Sequence, residues 1–226
     1  MKTIKLLVPF LMISANLFSQ NTEVRVLNSF NKLKVNCEAK VFATQGTENK
    51  IQITASGIDL NNLITEVKSN TLNIELKRGV YVNTNIEIYL TFSEIVDLSI
   101  GSFGNISFQT PLKGRNLKIN ANTNGVLQTE LKLNLVDINI AQGASVRLNG
   151  SARKMTGKVS SGGILAALEL TTDSTLIKVG SAATAKVNAS LLLDAKVKTG
   201  GNLTITGSPK EKKVKTGIGV TINEVD

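Results

Sequence analysis

The chain of 226 residues has no histidine, no tryptophan and one cysteine, Cys37. Without histidine there is no Ser-His-Asp triad, no Cys-His nucleophile and no imidazole-held metal, and one cysteine excludes an internal disulfide. Aromatic residues make up only 4% and proline numbers 3, so no Pro-rich linker divides the chain. What is present is 42% apolar residues, mainly Val, Ile, Leu and Ala, together with 18 glycines. That is enough apolar matter for a buried core, and the mixture favours short β-branched strands joined by glycine turns.

The first 20 residues place Lys2 and Lys5 before an apolar run from Leu6 to Phe18, followed by small and polar residues. This is the layout of a secretory signal peptide, with Leu17 and Ser19 in the small-residue cleavage region and the cut expected between Ser19 and Gln20. About thirteen apolar residues fall short of the roughly 20 needed to span a bilayer, and the mature chain shows no transmembrane segment. The expected organisation is therefore a signal peptide at 1–19 and one domain at 20–226. Subtracting Lys2 and Lys5 from 26 basic residues leaves 24 against 17 acidic, a formal charge of about +7 on the mature chain. A basic exported protein meets anionic surfaces in the periplasm, on the outer surface or in the medium.

From residue 96 onward one unit recurs: three alternating apolar positions, a small or polar turn, then two more. The first strand reads Val96-Leu98-Ile100, Leu117-Ile119-Ala121, Val136-Ile138-Ile140, Met155-Gly157-Val159, Thr175-Ile177-Val179 and Leu193-Ala195-Val197, with Val214 in the last unit. The final apolar residues of these units fall 17–21 positions apart. The second strand carries Ile106, Leu127, Val146, Leu165, Ala185, Leu203 and Val220 as its first apolar positions. Alternation gives each strand one inward face, and two short strands at a near-constant period predict an all-β chain: a single parallel β-solenoid of about 19-residue coils that follow one another along the sequence. An antiparallel sandwich also shows short strands at this density, but hairpins have no reason to repeat the same corner at every second strand. Leu33-Val35, Asn36 to Ala39 and Val41 repeat the motif once more, and Asp59 to Val67 is the one candidate helix.

The segments Phe30-Asn31-Lys32-Leu33-Lys34-Val35 through Val41 and Thr44-Gln45-Gly46, then Thr65-Glu66-Val67-Lys68 with Leu72-Asn73-Ile74, the small-residue corners after Ile100, Ile140, Val179 and Val197, and Gly207-Ser208-Pro209 carry a family likeness. On these residues the chain resembles the auto-transporter adhesin "head GIN" domain, a domain of unknown function in exported bacterial proteins. The resemblance implies a β-helical surface protein. The family's corner often ends in Asp, whereas this chain has Asn105, Val126, Ser145, Ile164, Thr184 and Asn202 there. Any cation or ligand that those acids serve in relatives is not expected here.

Among outward positions, Lys158, Lys178, Lys196 and Lys213 occupy the same place in consecutive units, with Lys198 and Lys215 two residues further along. In a parallel solenoid such a column has a rung about 4.8 Å apart. It invites an anionic polymer such as an acidic polysaccharide or lipopolysaccharide; the bland alternative is that lysines keep the last exposed edge soluble. Nucleic acid is not expected, since no aromatic residues interleave with these lysines. Asp97 and Asp137 share one position with Lys118 between them, which is an ion ladder rather than a pair of neighbouring catalytic carboxylates. No turn Asp recurs as Gly-rich calcium repeats require. The expectation is an exported, non-enzymatic, adhesin-like protein without cofactor or metal. The alternatives are a β-helical polysaccharide-active enzyme and a purely structural envelope component, and homo-oligomerisation is left open.

Overall fold

The computed structural model describes residues 21–225, so the expected signal peptide at 1–19 and its cleavage point lie outside the described residues. All twenty strands of the described residues belong to one hydrogen-bonded sheet, wound into a β-solenoid of about seven turns with roughly 19-residue spacing.

On one face the strands Asp97–Ile100 and Asn116–Ala121 stack in parallel. They are followed by the last parts of Val126–Ile140, Ser145–Val159 and Leu170–Val179, and then by Leu192–Val197 and Glu211–Thr216. The second face stacks Asn105–Phe108, the first parts of Val126–Ile140 and Ser145–Val159, then Ile164–Ala167, Thr184–Asn188, Asn202–Thr206 and Thr221–Glu224. The middle coils add a third, short ladder: Leu112–Lys113 pairs with Leu131 and Lys132, which pair with Gly150 and Ser151, which in turn pair with Leu170 and Thr171.

Alternation fills the interior, as the inward column Leu98, Ile119, Ile138 shows. Each of these residues is buried, and each contributes about 1.5–3 kcal/mol of apolar transfer. Gly157 continues that column, and a Cβ there would collide with Ile138 Cγ1; the Ile138 side chain occupies the space.

Five of the corners between the two faces are two-residue left-handed turns. Positive φ occurs at Ser102 and Phe103, Thr123 and Asn124, Gln142 and Gly143, Ser161 and Gly162, and Ser181 and Ala182. Corner amides bond to the next coil, as in Phe103 N–H to Thr123 O at 3.1 Å and Asn124 N–H to Gln142 O at 3.0 Å.

Two features at the N-terminal end differ from the expected strict succession of coils. Lys32–Val35 lies between Thr71–Leu76 and Asp97–Ile100, and Lys40–Gln45 between Asn85–Phe92 and Asn105–Phe108. A later coil has thus slipped outside an earlier one. The chain leaves room for it because Lys50–Ser56 runs antiparallel to Asn85–Phe92 and is itself covered by Asn21–Val26, so the parallel ladder ends in antiparallel strands. The candidate helix at Asp59–Val67 is a 3-10 turn at Leu60–Asn62 followed by the strand Leu63–Lys68. The Asp59 carboxylate accepts the Asn61 amide at 2.9 Å, and the β-branched residues Ile64, Thr65 and Val67 then favour the strand.

Candidate functional site

Strand register fixes which lysines align. Lys158 pairs with Lys178, Lys178 with Lys196, and Lys196 with Lys215. The four form one outward column that continues through Asn139, Asn120 and Ser99 to Lys34. Lys213, expected in this column, is not part of it: it pairs with Asp194 and belongs to the neighbouring column. The cause lies in the last coil, where Val214 stacks on Ala195 and the polar Thr216 takes the inward place below Val197. Reading Val214 as the coil's final apolar residue shifts the register by two. Lys198 and Lys215, expected to align two residues beyond the column, do not: Lys215 lies in the column itself, and Lys198 begins the corner after Val197, with Gly180 and Gly217 stacked beside it.

The four column lysines are exposed. Among the described residues, neither they nor Lys198 lies within ion-pairing distance of a carboxylate. Lys213, by contrast, is 2.6 Å from Glu211, and this hydrogen bond raises its pKa above the ordinary lysine value. Like charges on adjacent rungs repel, by up to about 1 kcal/mol per pair at 4 Å in water and less in salt. The column therefore stores repulsion that a bound anion relieves.

Between this column and its neighbour runs a furrow of about 460 Å³. Lys158, Lys178 and Lys196 line one side, Asp137, Thr156 and Asp194 the other, with Gly157 and Ile177 in the floor. Thr156 donates to the Asp137 carboxylate at 2.7 Å. Asp97, Lys118 and Asp137 stack in register as the expected ladder, so cation and anion alternate and the two acids do not adjoin. A second hollow of about 520 Å³ at the end of the column joins Lys196, Lys198 and Lys215 to the exposed Ile218.

Cys37 is no part of this surface. It is buried at a corner, and burial, with a smaller contribution from the Glu75 charge, pushes its pKa up to about 12. The thiol is held neutral and unreactive.

A wound parallel sheet with an open, charge-lined furrow along its axis defines a β-solenoid that presents a surface. The chain belongs to the family described as "Putative auto-transporter adhesin, head GIN domain", which it matches over residues 29–209. A solved structure described as a putative adhesin from Bacteroides fragilis is 20% identical, covers 92% of this chain and 97% of its own, and superposes with a TM-score of 0.80. A putative adhesin from Parabacteroides merdae gives 18% identity, 92% and 96% coverage and a TM-score of 0.72. A protein from Parabacteroides distasonis described as a putative lipid binding protein gives 17%, 92% and 97%, and 0.71. At these identities the likeness establishes the fold. No curated protein matches the chain.

Proposed function

We propose that this chain is an exported, non-enzymatic adhesin-like protein of the cell surface or periplasm that binds an anionic envelope or extracellular polymer along the column Lys158, Lys178, Lys196 and Lys215. The supporting observation is the unbroken register of four exposed lysines with no acid in their column. Their rung spacing of about 4.8 Å suits a polymer with roughly one negative charge per 5 Å, such as an acidic polysaccharide. Edge protection accounts for only one of the four. Lys158, Lys178 and Lys196 lie on inner rungs, paired on both sides, and only Lys215 is on the terminal strand.

The test is a pair of variants titrated against polygalacturonate and alginate at rising salt. K158Q/K178Q/K196Q/K215Q loses affinity by about tenfold or more and with it most of the salt dependence, each lost contact being worth a few tenths to about 1 kcal/mol. Lys213→Gln, which lies in the adjacent column beside Glu211, leaves binding within about twofold. Equal losses from the two variants would show net charge, not the column, to be responsible. Release of unsaturated or reducing sugar from either polymer would establish the enzyme instead.

A further inference from the structure

The third position of each corner is left-handed in seven successive coils: Phe103, Asn124, Gly143, Gly162, Ala182, Gly200 and Gly219, with φ between 57° and 73°. Six of them are the small or amide residues that tolerate this conformation. The seventh is a phenylalanine at φ 63° whose side chain is 59% exposed. A bulky residue with positive φ is strained, and here burial does not repay the strain. Breaking a local rule without a folding benefit points to a functional use.

Phe103 is not isolated. It borders a hollow of about 190 Å³ lined also by Glu38, Asn85 and Asn105. Two residues further along the strands, past the Lys40–Glu87 ion pair, Tyr89 is 49% exposed and stacks on Phe42, ring centroids 5.2 Å apart and planes 23° from parallel. Phe42 pairs directly with Tyr89 on one side and with the small Ser107 on the other, two residues along the strand from Asn105. The chain is poor in aromatic residues, yet among the described residues Phe42, Tyr81, Tyr89 and Phe103 escape the core, all of them on these N-terminal coils.

We propose that this patch is a second binding site, for a neutral saccharide, with Phe103 and the Phe42–Tyr89 pair as stacking surfaces and Glu38, Asn85 and Asn105 as hydroxyl partners. A pyranose has an apolar C–H face and a rim of hydroxyls, and the hollow sets the Phe103 ring beside one carboxylate and two amides, with the Phe42–Tyr89 pair further along the strands for the next sugars of a chain. The hollow holds about six waters at their liquid share of roughly 30 Å³ each, a space that one sugar ring with its hydroxyls displaces. An anionic ligand is disfavoured because Lys40, the one lysine that lines the hollow, is engaged by Glu87 at 3.3 Å, while Glu38 lines it as well. An apolar peptide would leave the three polar groups unpaired.

The experiment is native affinity electrophoresis of the protein through gels containing hydroxyethylcellulose, xyloglucan or galactomannan, at low and high salt. The protein is retarded in at least one gel, and the retardation survives high salt. Phe103→Gly weakens it by about tenfold or more while the melting temperature holds or rises, because glycine suits the left-handed corner. Tyr89→Thr, which keeps a strand-compatible residue, weakens it as well. The four-lysine variant above is retarded like the wild type. The inference is overturned if no gel retards the protein, if both aromatic variants retain wild-type affinity, or if the lysine variant loses neutral-glycan binding too.

Discussion

At the scale of single residues, burial and local conformation decide what each side chain can do. Cys37 illustrates the first. Its thiol ionises near 9.0 when solvated but only at about 12 in the folded chain. The raised value means that the neutral form is favoured in the folded state, so the contribution is intact below pH 9 and declines as pH rises from about 9 towards 12. Each unit in that window costs at most about 1.36 kcal/mol. In urea melts between pH 8 and 11, the wild type should therefore lose stability faster than Cys37→Ala; parallel curves would refute the assignment. Phe103 illustrates the second. Its place in a turn was legible from the small residues around it, but its φ and exposure were not, because a phenylalanine between strands reads by default as core. Cys37, in contrast, sits buried at a corner as a small apolar residue does.

At the scale of strands and corners, the period of about 19 follows from the small-residue turns, and most of the lysine column followed from the period. The exception is informative. Apolar spacing locates a rung only while inward positions are apolar, and in the last coil Thr216 and Lys212 face inward where Val197 and Leu193 did before. There the pattern lost its marker, and Lys213 was read in place of Lys215. The third ladder was hidden for a related reason, because its shortest strand, Leu112–Lys113, offers a single alternation. The packing at two equivalent corner positions can be compared by substitution. A Cβ on Gly125 would lie 2.9 Å from both Cγ2 and the carbonyl oxygen of Ile100. The equivalent Ala144 follows the coil of Ala121, whose side chain has no γ carbon to meet it. Gly125→Ala should thus cost about 1–3 kcal/mol by overpacking, whereas Ala144→Gly should cost under about 1 kcal/mol, as read from denaturation midpoints. Equal effects would refute overpacking at Gly125.

For the molecule as a whole, the difficulty of a solenoid is its ends, where a parallel sheet exposes unpaired backbone and a cross-section of core. The N-terminal end is closed by the antiparallel strands Asn21–Val26, Lys50–Ser56 and Leu63–Lys68. The C-terminal end has no such strands among the described residues. Its last coil instead places charge where the core would be. Lys212 stacks on the inward Leu193 and Glu224 on the inward Ile205, and the two meet across the end at 2.8 and 2.9 Å. Behind them Val214, Val220 and Ile222 are only half-buried. An exposed ion pair of this kind adds little stability, about 0–1 kcal/mol, so its effect is to make stacking of a second molecule unfavourable: two buried charges would lose water for no new partner. K212L/E224L removes that barrier and completes the apolar cross-section. The variant should melt within a few degrees of the wild type at low concentration, yet associate as concentration rises, by light scattering coupled to size exclusion. A variant no more associated than the wild type would show that the backbone edge of Glu211–Thr216, with Lys213 and Lys215 pointing outward, is barrier enough without the inward charges.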